Sequence, residues 1–211
     1  MLNLPKSTEF NKRIPKQKFY DNLNVTPAIK KIFVEQIKTI FWKNKIAPTT
    51  TNLAGGKNVT EIEVFEIKLN VPSLDESVLK LIDKEIPYHI LFVLSYKDKF
   101  QLWIGYKEES EGNSAFKVNR YYHTEWSENP EIEMQGIDMD KVYESFIRQI
   151  AGDILPQTAT LQESVEIQQE KENLKKQIEK LTKAVHKEKQ FNRQIEMNQQ
   201  VKKLKKQLED L

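Results

Sequence analysis

The chain contains no cysteine, which excludes a disulfide framework and any thiolate metal site and leaves nothing to argue for an oxidising compartment. Histidine is nearly as scarce: His89, His123 and His186 fall in three separate segments, without the spacing of a metal site or a catalytic dyad. No window approaches the roughly 18 uninterrupted apolar residues of a membrane-spanning helix, and the start, Met1-Leu2-Asn3-Leu4-Pro5-Lys6, lacks the apolar stretch of a secretory leader. A cytoplasmic protein is the expectation. Hydrophobic residues make up 38% of the chain and charged residues 30%, enough for one core-bearing domain beside a strongly solvated part.

The net charge of +2 conceals a partition. Residues 1–48 carry ten basic and three acidic side chains, residues 49–160 eleven and nineteen, and residues 161–211 twelve and nine. In the first stretch Lys12, Arg13, Lys16 and Lys18 stand among Ile14, Phe19 and Tyr20, while Pro5 and Pro15 bar a long regular element. Residues 1–25 therefore read as a basic arm that contacts DNA or a partner.

Thr26-Pro27 opens a helix, with a capping side chain followed by proline at the first helical position. The stripe Ile29, Ile32, Phe33, Ile37, Ile40, Phe41 predicts that it continues to about Lys45. Thr49 to Asn52 suggests a short strand, and Gly55-Gly56-Lys57-Asn58 a turn between antiparallel strands. The turn resembles a phosphate-binding loop only superficially, lacking the later G-K-[ST]. Glu61 to Leu69 is a strand rich in Ile, Val and Phe. Ser73 and Glu76 form a capping box for a helix bearing Leu74, Val78, Leu79, Leu81, Ile82 and Ile86, ended by Pro87. Tyr88 to Tyr96 suits a buried central strand, and Phe100 to Tyr106 its antiparallel partner. A polar loop from Glu108 to Ser114 leads into a strand from Phe116 to Trp126. Asp140 can cap a last helix bearing Val142, Tyr143, Phe146, Ile147 and Ile150, which Gly152 closes.

From Gln157 to Leu211 there is no glycine, no proline and one aromatic residue, Phe191. Leu174, Ile178, Leu181 and Val185 alternate spacings of four and three, as do Val201, Leu204, Leu208 and Leu211, which predicts a coiled coil. The two seams are out of phase, so a stutter or a fold back into a hairpin lies near Phe191. Such a seam predicts self-association or partner docking, with Phe191 and Ile195 on one helical face beside Arg193 as an anchor. Residues 171–206 also hold twelve basic and four acidic side chains, a balance suited to a phosphate backbone or an acidic groove, although a solvated face is the plainer reading. The architecture expected is α+β: a mixed or antiparallel sheet of about five strands packed by about three helices, then a long coiled-coil helix or helical hairpin. Its boundaries are an arm at residues 1–25, a core domain at 26–155 and a C-terminal coiled coil at 156–211.

The sharpest enzymatic signal is Glu66-Ile67-Lys68, because residues two apart on a strand share a face and can place a carboxylate and an ammonium at one divalent metal. That is the E-x-K half of a restriction-type nuclease. Such a site needs a second carboxylate on the preceding strand, yet no aspartate lies between Asp21 and Asp75, and the preceding segment offers Asn52. A charged pair on a solvated face is the plainer reading, and no cofactor is expected. Lys117, Arg120, Tyr121, Tyr122, His123 and Trp126 interleave cations with rings, as on a sheet that stacks bases; core packing is the competing explanation.

Several blocks stand together: Leu4-Pro5-Lys6-Ser7-Thr8, Ile14-Pro15-Lys16 with Phe19-Tyr20, Glu63-Val64-Phe65-Glu66-Ile67, Ile82-Asp83-Lys84-Glu85-Ile86-Pro87, and Lys187-Glu188-Lys189-Gln190-Phe191-Asn192-Arg193. They resemble the bacterial family called domain of unknown function 4391, over nearly the whole chain. The resemblance implies genomic company with Swi/Snf-type or type III-like helicases and DNA methyltransferases in restriction-like defence islands, and it supplies no established catalytic residues. The expectation is a noncatalytic adaptor or scaffold of a DNA-acting antiphage assembly, docking through its coiled coil onto a helicase or methyltransferase subunit. The alternative is a divergent metal-dependent nuclease centred on Glu66 and Lys68.

Overall fold

The computed structural model describes residues 2–109, 116–156 and 159–211, with the backbone alone at 108, 109, 116 and 117. The polar loop expected from Glu108 to Ser114 falls, from residue 110 onward, outside the described residues. The chain divides into two compact units, Met1–Gly152 and Asp153–Leu211.

The first unit is α+β, built on a mixed sheet of six strands. These are β1 (Glu9–Ile14), β2 (Ile37–Ile46), β3 (Ile62–Leu69), β4 (His89–Tyr96), β5 (Lys99–Glu109) and β6 (Phe116–His123), and they lie side by side in chain order. Every neighbouring pair is antiparallel except β3 and β4, which are parallel. Parallel neighbours need a crossover, and α3 (Glu76–Glu85) supplies it. Ladder partners share a face, so Ile40, Ile67 and Leu94 form one row and Trp42, Phe65 and Phe92 the next. On this face pack Phe19 of α1 (Lys16–Asn22), Phe33 of α2 (Pro27–Gln36) and Val78, Leu79 and Ile82 of α3. Each of these fully buried side chains is worth about 1.5–3 kcal/mol. The alternate residues Val64, Leu91 and Ile104 are buried on the opposite face. There α4 (Met139–Ala151) packs Tyr143 edge-on against His89 at 4.3 Å.

Three local expectations change. The helix from Thr26 keeps its cap, the Thr26 hydroxyl accepting from Ile29 N at 3.3 Å, but it stops at Gln36. From Ile37 onward the chain is strand β2, because its β-branched and aromatic side chains fit a pleated surface and both β1 and β3 use it as a partner. A bulge between Ile37 and Thr39 shifts the alternation, so that Ile37 and Ile40, three residues apart, are both buried as they would be on a helical stripe. The arm expected at residues 1–25 is instead part of the sheet unit: it supplies edge strand β1 and helix α1, whose Phe19 is in the core. Thr49 to Asn52 is turn rather than strand, with the Thr50 hydroxyl donating to Lys45 O at 2.7 Å.

Two helix caps also differ. Asp75, not Ser73, caps α3, accepting from Ser77 N at 2.9 Å. Asp138 caps α4 by accepting from Lys141 N at 2.8 Å. Asp140 is thereby free to take the backbone N–H groups of Lys57, Asn58 and Val59 at 2.7, 3.1 and 2.7 Å. The glycine-rich turn therefore cradles an internal carboxylate, and Gly56 is required there because a Cβ would lie 2.2 Å from Asp140 Oδ1.

The second unit is a helical hairpin, α5 (Leu161–Lys187) and α6 (Phe191–Glu209). Thr160 and Glu163 close a reciprocal capping box at its start. At the turn, the Glu188 carboxylate accepts from Lys189 N and Gln190 N at 2.8 and 2.9 Å, and Gln194 Nε2 donates to Val185 O at 3.2 Å. The register break near Phe191 is thus a reversal of direction. Leu174, Val185 and Val201 are buried in the seam, and Ile178, Leu181, Leu204 and Leu208 are half-buried. Among the described residues no helix is long and apolar enough to cross a membrane.

Candidate functional site

Glu66 lies in the middle of β3, on the face opposite the helical core, and lines a cleft of about 160 Å³. Val64, Val93, Phe100, Leu2 and Leu4 give the cleft its apolar lining, and Glu9, Asn11, Lys43 and Asn44 of β1 and β2 its polar one. A bulge in β1 between Glu9 and Lys12, with Asn11 in the left-handed region at φ 48°, turns these polar side chains toward the cleft. Glu66 is only 5% exposed. Its carboxylate accepts from Ser95 Oγ at 3.1 Å, with Lys68 Nζ at 3.8 Å and Lys43 Nζ at 4.0 Å.

The structure thus brings Glu66 and Lys68 together, as their spacing predicts, but buries the carboxylate. Lys43 and Ser95 complete the cluster unanticipated, since a β2 read as helix could not present Lys43 to β3. The signal available was the run Thr39 to Lys45, whose β-branched and aromatic content is strand-like. β2 carries no acidic residue, and the second carboxylate in the cleft is the exposed Glu9 of β1. Among the described residues no group of three His, Asp or Glu side chains is placed to hold a metal ion.

Two buried polar clusters lie on the helix-covered face. Lys45 meets Glu61 at 2.6 Å, and Glu63, 1% exposed, stands beside them. Burial, then the hydrogen bond to Glu61 and its charge, push the Glu63 carboxyl up to about 9. Glu61 feels burial too, but hydrogen bonds from Glu63 and Lys45 hold it below its usual value. One proton is therefore shared between two carboxyls at neutral pH. Further along, Lys107 Nζ pairs with Asp83 at 2.9 Å, both side chains almost wholly buried. Tyr121 donates to the other Asp83 oxygen, and Lys107 also donates to Tyr88 O at 2.5 Å. A bulge at Tyr106 and Lys107 turns this lysine inward. Asp83 was detectable in sequence, because it sits on the apolar stripe of Leu79, Ile82 and Ile86. Nearby, burial and the Lys107 charge push His89 down to about 3, so its ring is neutral.

The cations proposed for nucleic acid do not converge. Lys12 and Arg13 are exposed on edge strand β1, with Lys12 Nζ 4.2 Å from the Phe10 ring centre, and Lys18 is exposed on α1. Lys16 is withdrawn from solvent partners: its ammonium donates to Phe33 O at 2.8 Å and Ile37 O at 2.5 Å, closing the end of α2, and burial lowers its pKa. Arg120 belongs to β6, the opposite edge of the sheet, five strand spacings or roughly 24 Å from β1. Tyr122 is buried and cannot stack a base, and the side chain of Lys117 lies outside the described residues. In the hairpin, Phe191 is 72% and Ile195 40% exposed, and Arg193 beside them is exposed.

Fold and sites define an α+β protein with a carboxylate–lysine cleft on a mixed sheet and a separate basic helical hairpin. The chain belongs to the family described as Domain of unknown function (DUF4391), whose model matches residues 2–208. No curated protein and no solved structure matches it.

Proposed function

We propose that this protein is a noncatalytic adaptor that docks through the tip of its helical hairpin onto a helicase or DNA methyltransferase subunit of a bacterial antiphage or restriction-like assembly. The observation that carries this reading is the exposure of Phe191 and Ile195 at the start of α6, beside Arg193. The seam residues Leu174, Val185 and Val201 are already buried within the chain, and the most exposed large apolar side chains of the hairpin are Phe191 and Ile195 at the tip. A ring flanked in sequence by Lys187, Lys189 and Arg193 has the composition of an interface anchor. The choice of partner rests on the genomic company that the family resemblance implies. The test is co-purification with helicase and methyltransferase subunits of such an assembly: Phe191→Ala should weaken docking by about 2 kcal/mol, some 30-fold, while the sheet unit stays folded. Wild-type affinity in that variant refutes docking by the tip.

A second reading, a metal-dependent nuclease, is favoured by one observation, the meeting of Glu66, Lys68 and Lys43 in the cleft. It requires magnesium-dependent DNA cleavage by the wild type that a folded Glu66→Ala protein loses. The adaptor reading expects neither protein to cleave.

A further inference from the structure

We propose that the shaft of the α5–α6 hairpin binds the phosphate backbone of a nucleic-acid duplex, a role distinct from docking at the tip. Gln177, Lys180, Leu181 and Ala184 of α5 line one groove with Gln200, Lys203, Leu204 and Gln207 of α6. Residues 171–183 and 198–208 therefore run side by side. Together they hold nine lysines and two glutamates. Lys175, Lys176, Lys180, Lys183, Lys202, Lys203, Lys205 and Lys206 are all exposed.

Neutralisation within the hairpin is sparse. Lys183 reaches Glu179 at 2.5 Å, but α6 has no carboxylate between Glu196 and Glu209. Lys202 and Lys206, Lys203 and Lys206, and Lys176 and Lys180 stand three or four residues apart, a spacing at which like charges destabilise a helix. A polyanion laid along the shaft removes that repulsion. At 1.5 Å per residue the lysine-rich stretch is roughly 18 Å long, and a duplex presents a charge about every 1.7 Å of its axis, so shaft and duplex carry opposite charge at comparable linear density.

The composition selects nucleic acid over an acidic protein. Lysine is depleted in the cores of protein interfaces, which are built on aromatic and apolar anchors. The shaft offers no aromatic side chain, and its Leu181 and Leu204 are half-buried. The aromatic anchor, Phe191, lies at the tip.

Fluorescence anisotropy with the full chain and a labelled random-sequence DNA duplex of about 20 base pairs in 50 mM salt tests this. Binding should weaken as salt rises. The fourfold variant Lys202→Gln, Lys203→Gln, Lys205→Gln, Lys206→Gln should lose at least tenfold in affinity and about 2–4 from the log–log salt slope. Lys175→Gln with Lys180→Gln, made in the other helix, should lose affinity in the same sense, with circular dichroism confirming helix content for both. Lys12→Gln with Arg13→Gln, on β1, and Phe191→Ala should bind the duplex like wild type. No binding at 50 mM salt, unchanged affinity in the fourfold variant, or displacement of the duplex by poly-glutamate at equal charge overturns the inference. The last outcome assigns the shaft to an acidic protein. Duplex binding that survives Phe191→Ala while partner binding is lost separates shaft from tip, and failure of duplex binding leaves docking at the tip untouched.

Discussion

Replacing Glu63 with glutamine isolates the shared proton of the buried carboxyl pair. In the folded chain Glu63 titrates at about 9, against 4.5 in its absence, so the folded state holds a proton that the unfolded state releases across that interval. A raised carboxyl pKa contributes stability that is complete below 4.5 and is lost as pH rises toward 9, at about 1.4 kcal/mol per pH unit. His89 works with the opposite sign: its folded pKa is pushed from 6.5 down to about 3, so its contribution is present above 6.5 and lost on acidification. Between 4.5 and 6.5 the two slopes oppose each other, which leaves 6.5 to 8.5 as the window where Glu63 acts without His89. The wild type should lose about 2.7 kcal/mol across it. Glu61, whose pKa is lowered, changes stability only below its unfolded value. Glutamine donates to Glu61 without ionising, so Glu63→Gln should lack this slope over the same window and gain on wild type as pH rises. Urea unfolding followed by circular dichroism at pH 6.5, 7.5 and 8.5 measures both slopes. Parallel profiles for wild type and variant would falsify the shared-proton account.

Asp83→Ala should cost about 3–5 kcal/mol in urea unfolding, because it leaves the Lys107 ammonium buried without its carboxylate. Adding Lys107→Met should recover much of that loss, and a double variant no more stable than the single one refutes the reasoning. Asp140→Ala removes the acceptor of three backbone N–H groups of residues 57–59 and should cost about 2 kcal/mol. It should also speed amide exchange at Lys57, Asn58 and Val59, and unchanged exchange there shows that the cradle does not hold the turn.

Much of the architecture was legible because its signals are local. The strand expected from Glu61 to Leu69 is β3, the helix ended by Pro87 is α3, and Tyr88 to Tyr96 is β4, since an amphipathic stripe or a short apolar run states its own burial. The discontinuity between the Leu174 and Leu204 seams placed a break near Phe191 but left a stutter and a reversal equally open, and the packing of α6 on α5 decided for the reversal. What the chain alone left open was decided by partners distant in sequence. Ile37 to Ile46 satisfies a helical and a strand pattern equally, and only the open edges of β1 and β3 select the strand. The same pairing carries Lys43 to Glu66 and Lys45 to Glu61. Lys16 and Tyr122 looked like cations and rings for a ligand until α2 and the sheet claimed them. Glu63 and Lys107 are ordinary surface residue types whose burial, and hence whose protonation and pairing, arises only when the tertiary fold removes water from around them.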